Sequence, residues 1–417
     1  MVKCRHLLFA ITLAGSVVTP GVGAQQTPRR LTIAEALDLA EKQNLDLMAA
    51  RARRAVAQAG VRVAGQRPNP TGSVSVSRDA PHEGVLIDQP AEIGPKRGRR
   101  IEVARRESAL TEADISALEK QVRRLVRDAY FGLAHVRGTT ARQADVLKLA
   151  QRLRDIAQAR FQAGDVAQLE VTQAELEVAR AQADLQLAQQ EEKVALSELN
   201  SLLNEPGQTD WDLGDALTVQ IVTPPLPDLL ARAASSNAEI VRITQEQKVE
   251  QSNTALLKAE RIPDLGLQFG VDLNNPGPPG QINTGGYMVG ARGGLSMELP
   301  IFSHNQGEIA ESLASERVLE GELAAARRNL DASVSSAYYD LQARQTQAQI
   351  YHDTILPSSR RLEEMAEESY RAGKANLLVV LTAQHDVQQV ERDYLDSLLA
   401  LHSAFAQLEE AVGSPLD

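Results

Sequence analysis

Cysteine and large aromatic side chains are almost missing from this sequence: one Cys, one Trp and 3% aromatics in 417 residues. That scarcity rules out a disulfide-stapled fold and favours extended helices packed through small side chains over a thick globular core. The one cysteine, Cys4, sits in MVKCRHLLFAITLAGSVVTPGVGA, which has a cationic start (Lys3, Arg5), an apolar run Leu7–Val18 and small residues at Val22-Gly23-Ala24. Residues 1–24 therefore read as a secretory signal cut before Gln25. A membrane anchor is the other reading, but the run is well short of the roughly 20 residues a spanning helix needs. Cys4 precedes the apolar run and is misplaced for lipidation, so the mature chain is expected to have no thiol chemistry. No other segment supplies a long apolar helix, so any membrane crossing must use strands.

Enzyme signatures are also missing. There is no His-Glu-x-x-His, no Gly-x-Ser-x-Gly, no phosphate loop and no dinucleotide fingerprint, hence no expected catalytic residue, cofactor or tight metal site. Gly373-Lys374 lacks the earlier glycine and the following Ser/Thr of a phosphate loop. Positive charge is in deficit: the formal net charge is −11, and −13 once Lys3 and Arg5 leave with the leader, which excludes a general nucleic-acid binder.

What is present is written twice. Val126-Arg127-Asp128-Ala129-Tyr130-Phe131-Gly132-Leu133 matches Val334-Ser335-Ser336-Ala337-Tyr338-Tyr339-Asp340-Leu341 at an offset of 208, and RFQAGDVAQLEV (160–171) matches SYRAGKANLLVV (369–380) at 209. Gly98 and RRIEVARRE answer Gly307 and EIAESLASE, while Ala36-Leu37…Asn44 and Leu229-Leu230…Asn237 open helices expected to end at a proline, Pro68 and Pro263. Repeats at such a period define the architecture. Residues 25–204 and 228–417 each read as helix, two strands and a long helical hairpin, joined by 205–227, which is rich in Pro, Asp and Gly and carries Trp211. Leu118, Val122, Leu125, Ala129, Gly132 and Val136 step by four and three, as do Tyr394, Leu398, Leu401, Phe405, Leu408 and Val412, which predicts coiled-coil seams.

Strand signals are compact. Ser73–Ser77 and Leu265–Leu273 alternate strictly, Val85–Glu92 does so less regularly around Pro90, and Tyr287–Leu299 sends Val289, Ala291, Leu295 and Met297 to one face. Strands of about 9–11 residues with one apolar and one polar face are the signature of a transmembrane barrel, although a soluble sheet on a core shows the same alternation. Four strands cannot close a membrane barrel, so the membrane reading requires several chains.

Leader, duplicated hairpins and paired strands together resemble the TolC family of outer-membrane efflux channels over roughly residues 31–413. The carrying motifs are an aromatic, two residues and a glycine followed by LEVTQAELEVARAQ (169–182), and again SYRAGKANLLVVLTAQHDVQQVERDYL (369–395). QPAEIGPKRGRRIEVARRE (89–107) is most similar to the heavy-metal branch, the partners of cobalt-zinc-cadmium or copper pumps, with Pro95 interposed in the usual Gly-Lys-Arg. The resemblance implies a mixed α and β membrane protein. It would be a homotrimer in the outer membrane of a Gram-negative bacterium, with a shared twelve-stranded β-barrel among lipid and a periplasmic α-barrel of helical hairpins. It further implies a passive exit duct, for metal cations or else for drugs or polypeptides, working with a periplasmic adaptor and an inner-membrane pump of the RND type. A soluble periplasmic coiled-coil scaffold is the reading from another class. Segment 205–227 would lie outside the cylinder as an equatorial collar.

Site expectations follow. Gly164 and Gly373 can take positive φ and reverse a helix. The resemblance makes Phe161, Ala163, Gly164, Asp165, Tyr370, Ala372, Gly373 and Lys374 the adaptor-docking tips. For a periplasmic gate, Val379 and Thr382 occupy positions that are acidic in several drug-exporting relatives, so Glu170 or an apolar ring of Leu378, Val379 or Leu381 would serve instead. Lys96, Arg97, Arg99 and Arg100, with Arg105 and Arg106, form a basic run expected at the periplasmic membrane face, near anionic headgroups. His82, His304, His352, His385 and His402 show no ligand spacing on one helix face.

Overall fold

The computed structural model describes residues 29–78, 83–273 and 289–416; the leader, His82 and Tyr287 lie outside them. The first run of elements is β1 (Arg29–Leu31), α1 (Ile33–Gln43), α2 (Leu45–Ala64), β2 (Thr71–Val76), β3 (Glu83–Ala91), α3 (Lys96–Ala163) and α4 (Gln168–Leu203). The second is β4 (Trp211–Leu213), α5 (Leu226–Ser236), α6 (Ala238–Ala259), β5 (Leu265–Leu273), β6 (Val289–Met297), α7 (Gln306–Ile350), a π-helical turn (Tyr351–Ile355), α8 (Leu356–Arg371) and α9 (Leu377–Val412).

Helix α3 has 68 residues and no proline, so it runs about 100 Å at ~1.5 Å per residue. The other long rod, α7 to α8, carries Pro357. A proline there cannot donate to the carbonyl four residues back, and the helix widens in the turn before it: Leu356 N–H bonds Tyr351 O, five residues back.

Asn44 and Asn237 play matching roles at the two helix breaks. Each caps the helix it begins, Asn44 Oδ1 accepting from Leu47 N and Asn237 Oδ1 from Ile240 N. Each Nδ2 then reaches a distant carbonyl, Leu202 O at 3.0 Å and Ala411 O at 2.9 Å, tying a short helix pair to the far end of a hairpin. The cap thus spends one side chain on a local and a long-range constraint.

Two apolar clusters hold the middle of the rods. One gathers Val126, Tyr130 and Leu133 of α3 with Leu199, Leu203 and Trp211; the other gathers Leu330, Val334 and Leu341 of α7 with Leu401, Leu408 and Val412 of α9. The seam expected in α9 is buried except at Tyr394. In α3 only Val122 of the expected six is, beside the fully buried Val126, Tyr130 and Leu133. The reason is that α1, α4, α6 and α9 all touch α3, so no single stripe defines its buried face.

One element was not legible: β1 pairs in parallel with β4, Arg29 opposite Trp211. Trp211 is buried, its Nε1–H donating to Asn200 Oδ1 at 2.6 Å, and Tyr130 O–H donates to Leu31 O at 2.9 Å. Burial pushes the Tyr130 phenol up to about 12. The linker is therefore clamped against the helices at this level.

The remaining four strands form one antiparallel sheet in the order β2-β3-β5-β6. The registers put Val74, Val85, Val271 and Ala291 in one row and Gly72, Ile87, Phe269 and Gly293 in the next, all on one face. Leu267 and Leu295 follow in a row with Gln89, so this face is apolar apart from Gln89 and, at one end, Glu83, and most of it is exposed. The opposite face carries Ser73, Ser75, Asp88, Gln268, Asp272, Arg292 and Ser296. A soluble sheet would bury its apolar face; here that face is bare, with Val74 76% and Phe269 62% exposed. No helix among the described residues is long and apolar enough to cross a membrane.

His402 of α9 joins the halves. Its ring stacks on Phe131 at 3.9 Å, and its Nε2 accepts from Thr218 N at 3.2 Å. Burial, with Arg127 nearby, lowers its pKa to about 4. A folded value below the unfolded ~6.5 means the native state resists protonation. Stability is intact above about pH 6.5 and is lost as pH falls through 4, by on the order of 3 kcal/mol. Melting of the detergent-solubilised protein at pH 7.5 and 4.5 should show this slope. His402→Gln, which still accepts from Thr218, should flatten it.

Candidate functional site

Both hairpins end in the same way. Gly164 (φ 81°) and Gly373 (φ 69°) take the left-handed conformation, with Asp165 N bonding Arg160 O at 2.9 Å and Lys374 N bonding Ser369 O at 2.8 Å. These are six-residue Schellman closures, which satisfy the last helix carbonyls and reverse the chain. The restarts differ: Asn376 caps α9 by accepting from Val379 N, while Ala167 offers α4 no side-chain cap.

Ala163, Gly164 and Asp165 are exposed at the first tip and Ala372, Gly373 and Lys374 at the second, where a partner could reach them. The aromatics part company. Phe161 is exposed, but Tyr370 is 0% exposed, which corrects its expected place in an adaptor contact. Tyr370 lies inside a four-helix cluster with Leu153, Ala157, Ala174, Leu377 and Val380. The Arg160 guanidinium sits 4.8 Å over its ring, and its hydroxyl stands 3.5 Å from Glu170 Oε2. Burial, followed by the Glu170 charge, raises the phenol above its ordinary value. Arg160, Tyr370 and Glu170 thus join the two tips within one chain. Sequence reasoning missed Arg160, although it directly precedes Phe161 in the quoted motif.

Higher up, further ion pairs bridge the hairpins, Arg142–Glu391 at 3.7 Å and Arg152–Glu367 at 3.6 Å, and Glu391 also pairs with Arg360 of α8 at 2.8 Å within the second hairpin. Burial, then Glu391 and Glu367, raises the Glu363 carboxyl above its usual range. His135, absent from the sequence candidates, pairs with Asp396 at 2.7 Å between α3 and α9.

Of the gate candidates, Leu378, Val379 and Thr382 are exposed on α9, Leu381 packs on the tip cluster, and Glu170 is turned to Tyr370. Leu378, Leu381 and Thr382 border a groove with Glu177 and Asp184 of α4 and His385 and Asp386 of α9. Among the described residues, no group of three or more His, Cys, Asp or Glu is placed to hold a metal ion.

The basic run is not one uniform surface. Lys96 is buried and pairs with Asp264 at 2.7 Å, Arg100 forks onto Glu92, and Arg97 Nε donates to Gly65 O at 2.7 Å. Arg99, the fourth, is exposed in a depression shared with Glu102, Arg106 and Lys248. The charges of Lys96 and Arg100 are committed to the joint between sheet and helices.

The tip cluster gives a direct stability test. Tyr370→Ala should cost about 3–5 kcal/mol locally by leaving a ring-sized cavity, whereas Phe161→Ala should cost under about 1 kcal/mol. Protease sensitivity of the tips should rise only in the first variant.

The outer membrane efflux protein family matches this chain over residues 36–205 and 229–414. The cobalt-zinc-cadmium resistance protein CzcC of Cupriavidus metallidurans is 24% identical, covering 98% of this chain and 100% of its own. The nickel and cobalt resistance protein CnrC of the same organism is 34% identical over 59% of this chain and 54% of its own. Among solved structures, CusC superposes with a TM-score of 0.73 at 19% identity, over 92% of each chain. The outer membrane protein VceC of Vibrio cholerae superposes at 0.71 and 17%, over 92% of this chain and 97% of its own.

Proposed function

The chain belongs to the outer membrane efflux protein family, and from that premise we propose that it is the outer-membrane exit duct of a three-part pump for heavy-metal cations. The observation that carries the reading is the sheet: four antiparallel strands with a bare apolar face and, among the described residues, two unpaired edges, set on rods about 100 Å long. Three copies would close those edges into one twelve-stranded barrel and stand their hairpins around a periplasmic tunnel. Unpartnered apolar side chains on the outer rods support the ring, Leu176, Leu187 and Val194 on α4 and Ile350, Leu362 and Met365 on the α7–α8 side. The recurrence of element order after β4 supports an internal duplication, with residues 25–204 and 228–417 as its units and 205–227 between them.

Such a duct does no chemistry. Energy comes from an inner-membrane pump of the RND type through a periplasmic adaptor, which docks on Phe161, Ala163, Gly164, Asp165, Ala372, Gly373 and Lys374. The cargo reading draws support from the resistance relatives and from the acids and His385 beside the α4–α9 groove, which suit weakly held cations that must leave again. Deleting the gene should lower tolerance of cobalt, zinc or cadmium several-fold and leave organic-drug tolerance unchanged. The reverse pattern would overturn the cargo.

Closure is assigned to the contact between tips. Tyr370 and Glu170 hold the second hairpin against the first, so Tyr370→Phe with Glu170→Gln should raise single-channel conductance in planar bilayers. Unchanged conductance would remove them from the gate. Gly164→Val with Gly373→Val should leave trimers intact yet abolish metal tolerance, because a β-branched residue at positive φ distorts the docking loop. Full tolerance in that variant would refute the docking assignment.

A further inference from the structure

Charge is sparse on the sheet. Strands β2, β3, β5 and β6 hold four charged residues, Glu83, Asp88, Asp272 and Arg292. Glu83 stands at one end of the apolar face. The other three lie on the opposite, polar face, in the rows Thr71-Asp88-Gln268-Gly294, Ser73-Leu86-Gly270-Arg292 and Ser75-Gly84-Asp272-Gly290. An apolar face turned to lipid leaves this face turned to the water of the bore, so these three are the strand charges that a passing ion meets.

Two of the three cancel. Arg292 Nη1 lies 3.6 Å from Asp272 Oδ1. The side chain gets there by lying flat over Gly270, where an added Cβ would stand 3.6 Å from Arg292 Nε. Asp272 is only 8% exposed and leans over Gly84, where an added Cβ would come within 3.0 Å of its Oδ1. Glycine beneath each charged group lets it lie along the wall instead of standing into the bore.

Asp88 has no such partner. It leans over Gly266, where an added Cβ would lie 2.7 Å from its Oδ1, beside Ser296 Oγ. Gln268 Nε2 donates to its Oδ2 at a long 3.4 Å, and among the described residues no Lys, Arg or His stands within ion-pair reach. Its Oδ1 is enclosed and accepts no hydrogen bond from them. An enclosed carboxylate oxygen without a donor is rare enough to need a reason. Nothing on the wall compensates this charge, so ions in the bore must. Resting on the exit-duct reading above, we propose that Asp88 sets the preference of the bore for cations at the level of the sheet, one uncompensated carboxylate per copy. Arg292 and Asp272 keep the rows farther from the helices neutral. A ring of carboxylates of this kind favours cations without chelating them, so the cargo is concentrated and still leaves.

Cysteine reporters read the charge at each level, because the chain's only cysteine, Cys4, can be replaced by serine. Thr71→Cys lies opposite Asp88, and Ser75→Cys lies in the Asp272 row. In isolated outer membranes at low salt, the reaction rate of a cationic methanethiosulfonate is divided by that of an anionic one, each relative to free cysteine. The ratio at Thr71→Cys should exceed that at Ser75→Cys by about threefold or more, the effect of one unit charge about 5 Å away in water. Asp88→Asn should erase the excess, and Asp88→Glu should keep it. Arg292→Gln, which bares Asp272, should raise the ratio at Ser75→Cys to the Thr71→Cys level. The assignment falls if Asp88→Asn keeps the excess, if Asp88→Glu loses it, or if Arg292→Gln changes nothing. Val74→Cys, on the apolar face, checks the premise separately and should react with neither reagent. Reaction there as fast as at Thr71→Cys would instead overturn the exit-duct reading itself.

Discussion

An unpaired backbone edge on an apolar sheet is the constraint from which the rest of this molecule follows. Strand β2 and strand β6 each present a row of amide and carbonyl groups with no strand partner among the described residues, beside a largely exposed apolar face. In hydrocarbon each unmet polar group costs several kcal/mol, so an open sheet is untenable there. In water the apolar face would drive aggregation. The proposed shared barrel answers both demands at once, by pairing the edges and turning the apolar face to lipid.

The helical rods answer the same constraint at a distance. They are long, poor in aromatics and only partly buried, so their stability rests on contacts spread along their length and on discrete clamps. Asn44 and Asn237 brace the short helix pairs, Trp211 and Tyr130 fasten the linker, and Arg127 pairs with Glu409 at 2.8 Å where the halves cross. The clamps sit where the rods change partners. Between them the packing is through alanine and leucine, which permits close approach without fixing one depth.

Sequence periodicity located the regular parts well because each is governed by one local rule. Alternation in Leu265–Leu273 gave β5 to the residue, and the proline-free stretch gave α3. What stayed hidden depends on partners far along the chain. Three residues, Arg29–Leu31, carry no alternation, and only Trp211–Leu213 makes them a strand. Phe161 and Tyr370 occupy equal places in two similar motifs, yet one is exposed and the other enclosed, because α4 and α9 close over the second aromatic only. The basic run read as a surface patch, but Asp264 and Glu92, one of them 168 positions away, draw Lys96 and Arg100 into the joint.

The π-helical turn settles a difference in counting between the halves. Corresponding residues lie 209 positions apart at Gly98 and Gly307, 208 apart at Val126 and Val334 and again 209 apart at Phe161 and Tyr370, so the second half has one residue more than the first only in the stretch before its tip. Tyr351–Ile355 falls within that interval. In an unbroken α-helix one extra residue would turn everything beyond it by about 100° and push the tip ~1.5 Å further out. Taken up in one wide turn, the insertion leaves phase and length beyond it nearly unchanged. The last turns before Gly164 and Gly373 can then keep matching phase, and both close in the same Schellman geometry.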